Sequence, residues 1–290
     1  MKLFIFGYGY SAQAIARELM PHCEWIAGTS RSEGKLAQIK AQGLRAYQFD
    51  GLHPNPDCAE AIRGATHILI SIAPDADGDP AMRCHGEDIK QSKALEWLGY
   101  LSTVGVYGNH DGAWVNEETE CKPMSRRSVQ RVAAEQSWQK FAHHRNTPLG
   151  IYRLAGIYGP GRNQMIKLDA GTCRSINKPG QVFNRIHVDD IALAVSMAAM
   201  QAHAGILNVC DDEPAPPQQV IAYCADLMGL KPPIETSFEQ AVMSPMGRSF
   251  YGENKRCSNE KLHGLIGGTM RYPTYRDAFT HMWSKDIWRG

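Results

Sequence analysis

The most chemically suggestive stretch of the chain is a run of small residues near its start, Gly7-Tyr8-Gly9-Tyr10-Ser11-Ala12. It fits the pattern Gly-x-Gly-x-x-Gly/Ala, and it follows an apolar run and precedes a helical repeat. In that context Gly7 permits a tight turn, Gly9 lets a diphosphate approach the backbone, and the small Ala12 lets the helix pack close to the strand. The helix start adds free N–H groups and the positive end of its dipole. The residues therefore point to a dinucleotide. The alternative is a strand-to-helix turn that binds nothing.

About twenty residues on, where an NAD site places an acid for the ribose 2′-hydroxyl, the chain reads Gly28-Thr29-Ser30-Arg31-Ser32. No carboxylate ends that strand. Arg31 can pair with a 2′-phosphate in a bidentate fashion, and Ser30 can donate a hydrogen bond to it. NADP is the expected cofactor, while Glu33 keeps NAD open. Asp50, at the end of the third predicted strand, either accepts from the adenine amino group or caps the next turn.

These residues need a scaffold. Lys2 to Phe6, Trp25 to Ala27, Ala46 to Phe49, His67 to Ile72, Tyr100 to Ser102 and Gly150 to Leu154 read as strands. They lack polar alternation, which suits a parallel sheet covered on both faces. Ala12, Ile15, Ala16, Leu19 and Met20 recur at helical spacing, and Ser128 to Phe141 reads as a long helix with an apolar stripe through Val132, Trp138 and Phe141. The expected class is α/β, a Rossmann-type doubly wound parallel sheet with a smaller carboxyl-terminal lobe. The sequence suggests a cofactor domain over 1–157 and a substrate lobe over 158–290. A further helix is expected over Ile191 to Met200, another carrying Val220, Cys224, Leu227 and Met228, and a strand at Ile206 to Val209 that returns to the main sheet.

Composition limits the partners. The 290 residues carry 31 Lys plus Arg against 30 Asp plus Glu. With a net charge of +1, no global field favours nucleic acid or a membrane surface, so any anion site must be local. The first apolar run breaks at Gly7, too soon for a secretory signal, and no stretch is long enough to span a membrane. Eight scattered cysteines without a Cys-x-x-Cys pair suit reduced thiols and the cytoplasm, with no metal site expected. Asp75-Ala-Asp-Gly-Asp-Pro80 offers three carboxylates, but it lacks the spacing and the bidentate Glu of a calcium loop, so a solvated turn is expected.

Four segments carry a resemblance: Phe6 to Ala12, Tyr100-Leu-Ser-Thr-Val-Gly-Val-Tyr-Gly108, Tyr152-Arg-Leu-Ala-Gly-Ile-Tyr-Gly-Pro-Gly-Arg162 and Asn184-Arg-Ile-His-Val-Asp-Asp-Ile-Ala192. With them the chain resembles an extended short-chain dehydrogenase/reductase of the NAD-dependent epimerase/dehydratase-like group. Its last two thirds look most like an atypical branch. The family's chemistry uses a Ser or Thr, a Tyr, and a Lys four residues after the Tyr. The phenol moves a proton while the nicotinamide moves a hydride. Matching on Val106-Tyr107-Gly108 puts the Ser/Thr position at Thr103. Ser102 just before it, and Ser71 near the end of the fourth strand, join the expected cofactor contacts. The Tyr and Lys positions fall on Arg127 and Arg131, and no Tyr lies between 108 and 151.

Arginine stays protonated in proteins, so Arg127 cannot replace a tyrosine proton shuttle. Arg131 can still hold the ribose or a phosphate. Tyr107, Tyr158, His187 and Thr103 are the substitutes. For each tyrosine, packing or substrate contact stands beside proton transfer. His187 precedes a helix that Asp189 or Asp190 can cap, and a satisfied structural histidine is its plainer reading. Thr103 suits orientation of a carbonyl. The family's phosphate-gripping Arg four residues before the matching His is Phe183 here, which argues against a nucleotide-diphosphate-sugar substrate. Arg162, Arg185 and Arg248 are candidate anion contacts or plain surface arginines.

Two functions follow as expectations. One is an NADP-binding reductase, epimerase or dehydratase with an altered site, acting on a small hydroxyl or carbonyl compound. The other is a non-catalytic NADP-binding sensor or scaffold. The resemblance also leaves room for a homodimer, since extended members often pair through the helix that here carries Arg131.

Overall fold

The computed structural model describes residues 1–290. In chain order the elements are β1 (Lys2–Phe6), α1 (Tyr10–Leu19), β2 (Trp25–Ser30), α2 (Glu33–Ala41), β3 (Arg45–Gln48), α3 (Pro56–Gly64), β4 (His67–Ile70), α4 (Pro80–Gln91) and β5 (Trp97–Thr103). They continue with β6 (Trp114–Val115), α5 (Arg126–Arg145), β7 (Leu149–Leu154), β8 (Gly156–Tyr158), α6 (Gln164–Asp169), β9 (Ser175–Asn177), β10 (Arg185–His187), α7 (Val188–Met200) and β11 (Gly205–Val209). The remainder is α8 (Pro217–Leu227), β12 (Glu235–Ser237), α9 (Pro245–Phe250), β13 (Arg256–Cys257), α10 (Glu260–Ile266) and α11 (Tyr275–Ser284).

The main sheet has seven strands in the order β11-β7-β5-β4-β1-β2-β3. The pairs β1–β2, β1–β4, β2–β3 and β4–β5 are parallel. This is the doubly wound arrangement that the apolar strands call for, because parallel strands joined by helices bury both faces. Leu3, Phe4, Ile5 and Phe6 of β1 are all buried, as are Ile68, Leu69 and Ile70 of β4.

The chain divides into two compact units. The first comprises 1–103, 126–153 and 191–207. Its core gathers Phe4, Phe6, Ile68, Ile70, Leu98, Tyr100, Trp138 and Ile151. The second comprises 104–125, 154–190 and 208–290. It is built around Tyr158, Met165, Val220, Cys224, Tyr275, Phe279 and Met282, with the short parallel ribbons β8–β10, β9–β12 and β6–β13 beside them. The division cuts through α7 between Asp190 and Ile191, and through β11 between Leu207 and Asn208.

Capping fixes the helix starts that bear on the site. Asp79 caps α4, accepting from the N–H groups of Ala81 at 2.9 Å and Met82 at 3.1 Å, with Pro80 in the first turn. Thr274 and Asp277 close a capping box on α11. No helix is long and apolar enough to cross a membrane.

Candidate functional site

The glycine turn sits at the carboxyl end of β1, where ligands of open parallel sheets bind. Gly7 has φ +85°, and a Cβ there would stand 2.4 Å from Ile72 Cγ2. Its N–H donates to Thr29 Oγ1 at 2.8 Å, and the Tyr8 N–H donates to the Thr29 carbonyl at 2.9 Å. Gly9 is different in kind. A Cβ on it would meet no heavy atom within 4 Å, so the backbone faces open space. Gly9 also caps α1 with no side-chain bond, and the first turn holds no acidic residue. An uncapped helix start beside accessible backbone leaves free N–H groups that can take an anion.

Around it, the Ser71 N–H donates to the Phe6 carbonyl at 2.9 Å, which brings the ends of β4 and β1 together beside Gly7. Arg31, just past β2, is exposed and in no ion pair, so its fork is available to an anion. Ser30 Oγ accepts from the Ser32 N–H at 3.2 Å and keeps its own proton to donate. The other candidates here are occupied by the protein itself. The Tyr8 hydroxyl donates to Gln42 Oε1 at 2.9 Å while its ring lies over Gly28. Asp50 accepts from the Leu52 and His53 N–H groups at 2.7 and 3.0 Å and pairs with the His53 ring at 2.9 Å. These bonds, the His53 side chain foremost, hold its carboxyl well below the usual range. Of the two readings of Asp50, the geometry displays the turn cap.

The end of β5 is tied to α5. Arg131 Nη1 donates to the Leu101 carbonyl at 2.7 Å and to the Tyr100 hydroxyl at 3.1 Å, with its guanidinium 5.5 Å over the Tyr100 ring. One turn later on the helix, buried Glu135 accepts from the Ser102 hydroxyl and pairs with Arg153 at 2.8 Å. Asp79 lies near Arg131, and burial raises its carboxyl above the ordinary value. Arg127 is exposed. Thr103 is the last residue of β5 and half-buried. Arg131 therefore braces the strand that ends at Thr103, and Ser102 faces α5.

In the second unit the Tyr107 hydroxyl donates to Asn208 Oδ1 at 2.7 Å, wholly buried. The β8–β10 register sets Tyr158 beside His187. The Tyr158 ring stacks on Phe279 at 5.3 Å and meets His187 edge-on at 5.4 Å. Its hydroxyl has no hydrogen-bond partner, and burial raises it well above the ordinary phenol. His187 Nδ1 accepts from the Asp189 N–H at 3.2 Å, which fixes Nδ1 as the unprotonated nitrogen. Burial pushes the ring down to about 4. Asp190 accepts from the Arg271 and Tyr272 N–H groups at 2.6 and 3.1 Å, so it holds that loop. Arg185 Nη1 donates to the carbonyls of Phe183 and Ala215. Arg162 is exposed after β8, and Arg248 donates to the Ala241 carbonyl at 3.2 Å.

The motifs did not single out the Glu135–Arg153 pair, Asp79 or Asp211. One signal was present: Arg153 is a lone charge within the apolar run Leu149 to Leu154, and a buried charge requires a partner. Asp211 is 2% exposed with Oδ2 lacking any partner, and nothing local in Cys210-Asp-Asp-Glu213 signals that.

Comparison with known proteins adds the following. Residues 89–210 match the model of the NAD dependent epimerase/dehydratase family. A solved structure of a functionally unknown conserved protein from Silicibacter pomeroyi is 45% identical, covers 98% of both chains and superposes with a TM-score of 0.89. Protein YeeZ of Escherichia coli K12 is 25% identical over 285 residues, which is 94% of this chain and 96% of that protein. A UDP-glucuronic acid 4-epimerase from Bacillus cereus, solved in complex with NAD, shares the fold at 14% identity and a TM-score of 0.76, covering 99% of this chain and all of the other.

Proposed function

The chain belongs to the NAD dependent epimerase/dehydratase family, and we propose that it is an NADP-dependent reductase, epimerase or dehydratase acting on a small hydroxyl or carbonyl compound. The observation that carries this reading is the pairing of an open, uncapped turn at Gly9 with a free Arg31 at the next strand end, where an NAD site keeps a carboxylate. The backbone of Gly7 to Ala12 would hold the diphosphate. Arg31 and Ser30 would hold the 2′-phosphate. A bound nicotinamide supplies or takes up a hydride.

The chain's own residues restrict the proton chemistry. Arg127 and Arg131 stand where the family keeps Tyr and Lys, and a guanidinium cannot shuttle a proton near neutral pH. Arg131 acts instead as a brace for β5 through Leu101 and Tyr100. In the first unit, Thr103 can orient a carbonyl by hydrogen bonding. In the second unit, Tyr158 keeps its proton at neutral pH and so can donate but not accept.

A second reading, a non-catalytic NADP sensor or scaffold, is favoured by one observation: the Arg131 fork is engaged inside the protein by strand atoms. Titrating NADPH fluorescence with the full-length chain tests both readings, since absence of binding at micromolar protein would end them together. A screen of carbonyl substrates with NADPH then separates them. Turnover that falls in Thr103→Ala supports the enzyme, and no turnover with any carbonyl supports the sensor.

A further inference from the structure

Within the second unit, three polar side chains share one neighbourhood and are left incompletely bonded. Arg185 and His187 lie two apart on β10 and so share a face, and the register sets Tyr158 of β8 beside His187. The Asp211 N–H donates to the Arg185 carbonyl at 2.7 Å, which docks Asp211 against the same strand. Each group then has an unfilled position. Tyr158 is 6% exposed, and neither its hydroxyl nor Asp211 Oδ2 has a hydrogen-bond partner. Arg185 uses only Nη1, which donates to the Phe183 and Ala215 carbonyls at 2.9 and 3.0 Å. Its Nε and Nη2 edge bonds to nothing.

The charges also leave a gap. Asp211 and Arg185 feel each other electrostatically, yet they form no ion pair. Buried polar atoms left without a direct partner call for one, because unpartnered buried polar groups are strongly disfavoured. The two carbonyls anchor Arg185 at Nη1 and leave the Nε–Nη2 side as a ready fork, the geometry that takes an oxyanion in two parallel bonds. Burial raises the Asp211 carboxyl well above its ordinary value. That direction favours its neutral form, which repels an anion less than a carboxylate does.

We propose that Arg185, Asp211 and Tyr158 form a recognition site for the oxyanion of a small hydroxy acid or phosphorylated hydroxy compound. Arg185 takes the carboxylate or phosphate in its fork, and Asp211 and Tyr158 bond the adjacent hydroxyl. This rests on the reading of the chain as acting on a small hydroxyl or carbonyl compound, and it narrows that class to anionic members. Phe183 stands one stride before Arg185, so the fork belongs to a different position from the family arginine.

Calorimetric titration of the full-length chain tests it with four probes: glycolate, acetate, inorganic phosphate and glycerol. Glycolate should bind saturably and about tenfold more tightly than acetate, and glycerol should not bind. Phosphate that outcompetes glycolate would assign the phosphorylated class, and the reverse would assign the hydroxy acid. Tyr158→Phe removes only an unpartnered hydroxyl and so keeps the fold. It should weaken glycolate about tenfold, and Arg185→Lys should abolish binding. NADPH affinity should stay within about twofold in both variants. Loss of NADPH binding in the wild type would sink the cofactor reading and leave this one standing. Saturation by neither anion, or equal affinity in Tyr158→Phe, would overturn the site itself.

Discussion

Arg131 Nη1 lies 2.7 Å from the carbonyl oxygen of Leu101, two residues before the end of β5. The Arg131 side chain thus faces inward onto a strand. It also reaches the hydroxyl of Tyr100, a side chain that is wholly buried. Arg131→Ala should therefore reduce stability by roughly 1.5–3 kcal/mol, the worth of hydrogen bonds from a charged donor. Urea unfolding measures this. A change under about 0.5 kcal/mol would mean the contact does not brace the strand.

Glu135 and Arg153 form a buried pair at 2.8 Å, with side chains 4% and 5% exposed. Removing one partner leaves an isolated charge, and Arg153→Met should cost about 3–5 kcal/mol. The double variant Glu135→Leu with Arg153→Met should cost less than the single change. Additive losses in a double-mutant cycle would show that the two act independently.

The two glycines of the turn should separate stability from binding. Gly7→Ala forces a side chain into φ +85° and against Ile72, at roughly 1–3 kcal/mol of strain. Gly9→Val meets open space, so thermal unfolding should register about 1 kcal/mol or less. NADPH binding should nevertheless disappear, because the added side chain fills the approach to the backbone. A Gly9→Val protein that retains NADPH affinity would remove the diphosphate from this turn.

Acid stability should reveal two opposed groups. The His187 ring is held near 4 in the fold and titrates near 6.5 when unfolded. The unfolded chain takes up that proton first, so stability falls as pH drops from 6.5 toward 4. Asp190 runs the other way. Burial lifts its carboxyl from 3.8 to about 6, so the folded state holds a proton that the unfolded state releases, and stability rises over the same descent. His187→Gln removes the first effect alone. Relative to wild type it should gain on the order of 2 kcal/mol between pH 7 and pH 4.5. A difference between the two proteins that does not change with pH would contradict this.

The sheet was legible in the chain because its strands are apolar on both faces, and only a parallel layer with helices on each side hides both. Lys2 to Phe6 was readable to the residue, and β5 was readable at Tyr100 to Ser102 though it begins at Trp97. The glycine turn was legible because strand, turn and helix adjoin in sequence. What stayed hidden depends on contacts between distant segments. Ser102 meets Glu135 thirty-three residues away, and Tyr107 reaches Asn208 across one hundred and one. Asp211 gains its meaning only from docking against β10. Asp50 shows the limit at short range: a strand-end acid can serve a ligand or its own turn, and in the fold it bonds Leu52 and His53.

The central claim is that Arg31 makes this an NADP site. The most direct measurement is fluorescence titration of NADPH and NADH against wild type and Arg31→Ala. In Arg31→Ala, NADPH should weaken by about 10- to 150-fold, corresponding to roughly 1.5–3 kcal/mol for lost bonds to a charged group, while NADH should change by less than about twofold. Equal losses for both cofactors, or none for NADPH, would contradict it.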